Sequence, residues 1–304
     1  MKTFMIPYSI AKTNEILIDN QSISTFIQEN DANIDPITVA SFGEEWSKFA
    51  SFTEKEITEV GDQYFDILPT DFNLSEAVVL DMGCGTGRWT KYLSRKVKFI
   101  EAVDPSKAVI SAQHLLKEEE NVRVTQASVE HLPFPEQSFD LVFSLGVLHH
   151  IPDTQRAMQK CVDQVKPGGY FLVYLYYSLD NRGAFYKFIF HASTLIRRIV
   201  SKLPSGLKKF KCDALAVLLY FPLVNLARGL RWIGLTRVAK KIPLSYYMDK
   251  SWNIMRNDAL DRFGTPLEQR FSKKEIEVMM QECGLTNIQF SNGEPYWHAF
   301  GQKK

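Results

Sequence analysis

Val78-Val79-Leu80-Asp81-Met82-Gly83-Cys84-Gly85-Thr86-Gly87-Arg88-Trp89-Thr90 decides the reading of the whole chain. Ala77 to Leu80 is a short apolar run that stops at an acid and a glycine cluster, the pattern of a buried parallel strand. After Gly87 the period turns helical, with Trp89, Tyr92 and Leu93 at i, i+3 and i+4. Strand, glycine loop and helix in that order form the ligand-binding corner of a doubly wound α/β sheet. Glycine suits the corner because it accepts positive φ and lets a ligand lie close to the backbone.

Two spacings compete for such a loop. A dinucleotide site asks for G-x-G-x-x-G, which needs glycine where Arg88 stands. The chain instead has G-x-G-x-G preceded by Asp81. Further strands follow. Lys98 to Asp104 ends in a second acid, 23 residues beyond Asp81, where a carboxylate can accept ribose hydroxyls. Asp104-Pro105-Ser106 opens a helix running to about Lys117. Val122 to Ala127 is a third strand, leading into Ser128-Val129-Glu130-His131-Leu132-Pro133. Ser138 to Ser144 is a fourth, leading into Leu148-His149-His150-Ile151. Gln164-Val165-Lys166-Pro167-Gly168-Gly169 turns into a fifth, Tyr170 to Tyr177.

Taken together, residues 77–177 resemble the class I S-adenosylmethionine-dependent methyltransferases of the small-molecule, type 11 kind, whose first motif is E/D-x-G-x-G-x-G. The resemblance implies an α/β, Rossmann-like, seven-stranded mixed sheet of order 3-2-1-4-5-7-6 with helices on both faces. It implies S-adenosylmethionine as cofactor and S-adenosylhomocysteine as product. The implied cofactor contacts are Asp81, Gly83, Cys84, Gly85, Gly87, Asp104, Pro105, Ser128, Val129, Glu130, Ser144 and Leu145. One departure stands out: the family often has aspartate at 128, facing the adenine amino group, and this chain has Ser128. A serine hydroxyl or nearby backbone is expected in its place.

The chemistry needs little from the protein beyond aligning a nucleophile and excluding water. A base is required only for a nucleophile that arrives protonated. His149 and His150 follow the fourth strand, where the reactive end of the cofactor meets substrate in this class. They are the candidate catalytic residues; the competing reading has one ring packing and the other capping a loop. No metal-ligand spacing is present. Cys84, Cys161, Cys212 and Cys283 are scattered and read as reduced thiols of a cytoplasmic protein. Cys84 reads as a small residue that fits the loop.

Four segments are expected: an N-terminal helical extension (1–70), the cofactor-binding core (71–181), a helical insert (182–266), and a closing helix and hairpin (267–304). The 304 residues suffice for a substantial core. A net charge of +1 hides an asymmetry: residues 1–70 carry 12 acids and 4 lysines, net −8. Residues 183–250 carry 13 Lys/Arg and 2 Asp, net +11. In the first segment, Glu15 to Ile27 reads as loosely ordered. Phe42, Trp46 and Phe49 share one helical face, and Thr53 with Glu56 makes a capping box. The extension reads either as helices on the sheet edge or as a cover over the cofactor, with Trp46 and Phe49 turned inward.

The insert is too long for a bare loop and must hold helices of its own. Its apolar run Ala214 to Val224, flanked by cations, reads as too short to span a bilayer, and no other run reaches span length. Met1 to Ile10 is too short for a signal peptide. The insert is expected to cap the active site, or to lie peripherally on an anionic membrane, or both. Trp46, Tyr177, Tyr246, Tyr247 and Arg256 are the candidate substrate contacts. Ser272 with Glu275 caps the next helix, and Leu285 to Ser291 with Tyr296 to Phe300 forms the closing hairpin.

The expected activity is methyl transfer to an oxygen or nitrogen nucleophile of a small-molecule, lipid-like or saccharide-precursor substrate. The alternatives are an NAD(P)-dependent oxidoreductase, an RNA methyltransferase, and a non-catalytic S-adenosylmethionine-binding protein. Nucleic acid ranks lower because the cations flank apolar stretches and N-P-P-Y is absent.

Overall fold

The structure is a computed structural model that describes residues 5–18, 21–28, 31–48, 52–178, 183–293, 295 and 297–304; the side chains of 44–48, 184–188, 190, 205 and 257 fall outside the description. In chain order the elements are β1 (Asn14–Ile18), β2 (Gln21–Thr25), α1 (Pro36–Lys48), α2 (Glu54–Tyr64), β3 (Val78–Met82), α3 (Arg88–Ser94), β4 (Phe99–Asp104), α4 (Ala108–Leu116), β5 (Val122–Gln126), β6 (Phe139–Leu145), α5 (Thr154–Asp163) and β7 (Val165–Tyr174). Then follow α6 (Ala184–Val200), α7 (Ser205–Leu215), α8 (Phe221–Trp232), α9 (Thr236–Ala239), α10 (Trp252–Gly264), α11 (Lys273–Glu282), β8 (Leu285–Phe290) and β9 (His298–Lys303). Two compact units result, one from residues 1–180 with 267–304, the other from residues 181–266.

In the first unit the described strands form one sheet of order β1-β2-β5-β4-β3-β6-β7-β9-β8. Leaving out β1 and β2, this is the expected 3-2-1-4-5-7-6 arrangement. β3 pairs in parallel with both β4 and β6, and β9 runs antiparallel to β7. Alternation along β3 sends Val78, Leu80 and Met82 to one face and Val79 to the other. The first face packs on Ala157, Met158 and Cys161 of α5 and on Ile276 and Met280 of α11. The second packs on Trp89 and Leu93 of α3 and on Phe65 just past α2. Both expected capping boxes form, Thr53–Glu56 on α2 and Ser272–Glu275 on α11.

Three expectations need correction. Within Glu15 to Ile27, β1 and β2 are not irregular: they pair antiparallel and β2 pairs in parallel with β5, making nine strands among the described residues. Ile23 anchors it, wholly buried among Val109, Ala112, Leu116 and Val124. So short a strand is selected by the sheet edge it joins rather than by its own periodicity. The fifth strand begins at Val165, not Tyr170, because Lys166 to Gly169 bulge out between two paired stretches. Finally, the apolar run of the insert is part of one continuous helix, Gly206–Trp232, 27 residues long. A π-type turn at Ala216–Tyr220 joins α7 to α8 without a break. By length and composition alone this helix could cross a bilayer.

The second unit folds around the inner side of that helix. Cys212, Ala216, Tyr220 and Val224, spaced by four, pack with Met255, Ala259 and Phe263 of α10. Asp258 joins them, accepting hydrogen bonds from the Tyr220 hydroxyl and the Arg262 guanidinium.

Candidate active site at the C-terminal ends of β3, β4 and β6

The glycine loop has the backbone expected of it. Gly83, Gly85 and Gly87 sit at φ of 83°, 54° and 82°, the left-handed region that side chains resist. At Gly83 space forbids a side chain as well: a Cβ would lie 2.4 Å from Cγ2 of Val147. The loop is pinned to β4 because the Gly83 and Cys84 amides both donate to the Val103 carbonyl, at 2.7 and 2.9 Å.

Asp104 ends β4 beside this loop. One carboxylate oxygen accepts from the Gly85 amide at 3.0 Å, the other from the amide and hydroxyl of Ser106 at 2.8 and 2.6 Å. Burial holds its pKa above the ordinary value, against the opposing pull of these three donors. Asp81 does different work. It is 1% exposed and accepts from the Thr90 hydroxyl at 2.6 Å, tying β3 to α3. Burial pushes it up to about 7, with Asp104 adding to the rise and Thr90 opposing it. Cys84 is buried, which holds its thiol well above the ordinary range and leaves it inert.

Other expected cofactor residues are placed by the same network. The Ser144 hydroxyl is spent on the Met82 carbonyl at 2.9 Å, holding β6 to β3. Leu145 and Val129 are buried, and the Pro105 carbonyl accepts from Gln126 at 3.2 Å. The Glu130 carboxylate is committed to Arg156 and to Asn33. Ser128 holds the least expected contact: its hydroxyl donates to Asp31, whose side chain is 3% exposed and also meets His131 Nδ1 at 3.3 Å. Asn33 fixes this segment by donating to the Asp153 carbonyl and accepting from the Asp153 amide.

Downstream of Asp31, α1 starts with Asp35 as its cap and Pro36 as its first residue. A Cβ on Gly43 would lie 3.3 Å from the Lys107 amide, so α1 rests on the start of α4. The Phe42 ring meets His150 edge-on at 4.8 Å. At Phe42 and Gly43 helix α1 therefore touches both the segment after β6 and the one after β4, and β3 with its glycine loop lies between those strands. Trp46's side chain and Phe49, expected to point inward here, lie outside the described residues.

The two histidines differ. The His150 Nδ1 faces the Leu267 carbonyl at 2.7 Å; a carbonyl only accepts, so Nδ1 carries the hydrogen and Nε2 keeps a lone pair when the ring is neutral. His149 is fully buried, stacked on Tyr176 at 3.9 Å, and neither of its ring nitrogens has a partner. Burial, then His150 and Arg270 nearby, hold its pKa well below 6.5, so it stays neutral.

The hydroxyls of Thr38 on α1 and Thr86 in the glycine loop are likewise buried and unpartnered. A loop of three glycines at positive φ, a preorganised carboxylate and these orphaned polar atoms fit an adenosyl amino-acid cofactor. Thr86 lies inside the glycine motif, whereas Asp31 and Thr38 carry no sequence signal that marks them. Among the described residues no cluster of three or more His, Cys, Asp or Glu is placed to hold a metal ion.

Of the expected substrate residues whose side chains are described, Tyr177 lies in the first unit and Tyr246, Tyr247 and Arg256 in the second, where the Tyr246 and Tyr247 rings meet at 5.2 Å. Tyr177 makes an isolated parallel bridge to Phe271 beyond β7. In the second unit Arg256 forms a two-point pair with Asp213 at 2.9 and 2.7 Å. Tyr247 is buried against Tyr220, and Tyr246 is 44% exposed.

Residues 80–173 match the family model described as a methyltransferase domain. A ubiquinone biosynthesis O-methyltransferase of Pseudomonas fluorescens is 28% identical over 188 residues, 59% of this chain and 77% of that protein. Its namesake in Coxiella burnetii is 32% identical over 106 residues, 34% of this chain and 44% of that protein. An uncharacterized methyltransferase of Bacillus subtilis, YcgJ, is 28% identical over 133 residues, covering 43% and 53%. The chain thus spans about half or less of the length of two of these three relatives.

Proposed function

We infer that this chain, a class I S-adenosylmethionine-dependent methyltransferase, methylates an oxygen or nitrogen nucleophile of a small, lipid-like or saccharide-precursor molecule. The class, the enzyme activity and the cofactor follow from the sequence likeness; the nucleophile and the substrate class are the proposal. When bound, S-adenosylmethionine supplies a methyl carbon on a sulfonium, already activated toward an incoming lone pair.

The observation that carries the assignment of residues is Asp104, held by the Gly85 amide against three glycines of positive φ. Asp104 binds the ribose hydroxyls, and the loop backbone lies along the methionyl part. Asp31, presented through Ser128, accepts from the adenine amino group. Asp81 keeps the loop and α3 in register. Helix α1 covers the site and excludes water, with Thr38 and Phe42 one turn apart on its inner face. The lone pair on His150 Nε2 takes the proton of a hydroxyl or ammonium nucleophile, and neutral His149 packs behind it.

Relatives named for O-methylation in ubiquinone biosynthesis favour oxygen on a lipid-like molecule. In this reading the insert, 182–266, serves substrate selection. Peripheral contact with an anionic membrane through residues 183–250, on the cytoplasmic side, belongs to the same reading.

Calorimetric titration with S-adenosylhomocysteine tests it. Asp104→Ala should lose about 1.5–3 kcal/mol, roughly 10- to 150-fold in affinity. Unchanged affinity, or a wild-type chain that binds NADH instead, overturns the assignment. Labelled methyl donor with extract split into lipid, saccharide and nucleic-acid fractions identifies the substrate; label in RNA refutes the proposed class.

A further inference from the structure

We propose that the second unit docks on the surface of an anionic lipid bilayer by inserting the tip that joins α8 to α9, Trp232 to Leu235, with the outer side of the 206–232 helix lying along the headgroups. This deepens the reading of residues 183–250 as a membrane-contacting insert and rests on it for the partner, not on methyl transfer.

The first observation is where apolar surface is left bare. Of 21 large hydrophobic side chains exposed among the described residues, five (Met5, Ile10, Leu17, Ile37 and Val278) lie in the first unit and 16 in the second. Scattered exposed hydrophobics are ordinary; a concentration of this kind marks an interaction surface. On the long helix, Phe210, Leu218 and Phe221 are 66%, 70% and 54% exposed, opposite the side that packs on α10. At its end every residue from Arg231 to Val238 is exposed. Trp232 is 89%, Ile233 61% and Leu235 48% exposed, and Gly234 turns the chain at φ of 84°. Tryptophan at a projecting turn suits the headgroup level, where its ring is half apolar and its N–H stays wet.

Charge selects the occupant. Residues 183–250 carry 13 cations against two acids, net +11. Both acids are already engaged, Asp213 by Arg256 and Asp249 by Arg231. Arg198, Lys202, Lys211, Arg237 and Lys240 are exposed. Apolar side chains bracketed by cations match an anionic leaflet, which takes both. A second copy of the same face would bring like charges together, which association disfavours.

The helix lies along the membrane and does not cross it. At about 1.5 Å per residue its 27 residues would reach through a bilayer. Its inner side, however, carries Tyr220 bonded to Asp258 and Arg228 donating to the Met248 carbonyl at 2.8 Å. Those polar contacts and the packing on α10 need protein there, so lipid has access to one side only.

Co-sedimentation of the full chain with vesicles tests the proposal. One set is phosphatidylcholine alone and one holds about one-third phosphatidylglycerol, each at roughly 0.05 and 0.5 M salt. Expected is binding to the anionic set at low salt, at least about tenfold weaker on the neutral set and at high salt. Trp232→Glu combined with Leu235→Glu, both at exposed positions, should reduce anionic binding at least about tenfold. Leu17→Glu, equally exposed in the first unit, should leave it unchanged. No binding of wild type to anionic vesicles at low salt overturns the proposal, as does binding that the double variant retains. A lipid-free dimer that the double variant dissociates would assign the face to a second copy instead. S-Adenosylhomocysteine titration of the same preparations keeps the two readings apart: vesicle binding without cofactor binding sinks the enzyme reading and leaves this one standing.

Discussion

The Asp31 carboxylate accepts a hydrogen bond from the Ser128 hydroxyl, across 97 positions of sequence. In the proposed site this acid serves the adenine amino group through Ser128. Asp31→Ala should weaken S-adenosylhomocysteine binding by about 1.5–3 kcal/mol, and Ser128→Ala by less. The decisive comparison uses the analogue whose adenine amino group is replaced by oxygen. Wild type should prefer the amino form, and Asp31→Ala should bind the two alike. A preference kept by the variant removes Asp31 from the adenine site.

His150 and His149 should separate under mutation. His150→Ala is expected to lower kcat about 100- to 10,000-fold on a hydroxyl substrate, the range for loss of a general base. S-Adenosylhomocysteine affinity should hardly change. His149→Phe keeps a ring against Tyr176 and should retain most of the activity. Equal losses in both would assign the proton to the buried ring.

Asp81 makes a pH prediction. Its pKa rises from 3.8 to about 7 because it is buried. Between those values the folded chain keeps a proton that the unfolded chain has released, so this residue costs stability as pH rises from 3.8 toward 7. Asp81→Asn still offers an oxygen to Thr90 but does not titrate. Its unfolding free energy should gain relative to wild type across that window, by up to about 1.4 kcal/mol per pH unit. Urea unfolding at several pH values reads the difference; parallel curves would show that Asp81 is not held protonated.

Gly83 and Gly168 have nearly the same φ, 83° and 78°, but different surroundings. A Cβ on Gly168 meets nothing within 4 Å, whereas on Gly83 it meets Val147. Gly168→Ala should cost about 1–2 kcal/mol, the strain of the left-handed region alone. Gly83→Ala should cost more and should abolish cofactor binding. Equal costs in urea unfolding would mean that Val147 moves aside freely.

The amino-acid order alone determined the parts that depend on neighbours a few positions apart. The glycine spacing from 83 to 87, the acid closing β4, the capping boxes at Thr53 and Ser272, and the alternation of strand and helix are all short-range patterns, whereas the 3-2-1-4-5-7-6 order was implied by the family resemblance. Turn chemistry and side-chain periodicity act over one or two turns of chain, so they are readable there.

Which distant groups meet is a matter of tertiary packing. β1 and β2 become strands because the open edge of β5 offers hydrogen bonds, not because Asn14 to Thr25 has a strong pattern of its own. The Leu267 carbonyl orients His150 from 117 residues away. Val147 explains why Gly83 must be glycine, and Tyr220 with Asp258 shows which side of the long helix is committed to protein. A carboxylate such as Asp31 looks like any solvated acid in an acidic segment until the path of the chain buries it beside a serine. Burial and hydrogen-bond partnership belong to the packed molecule, and no local spacing encodes them.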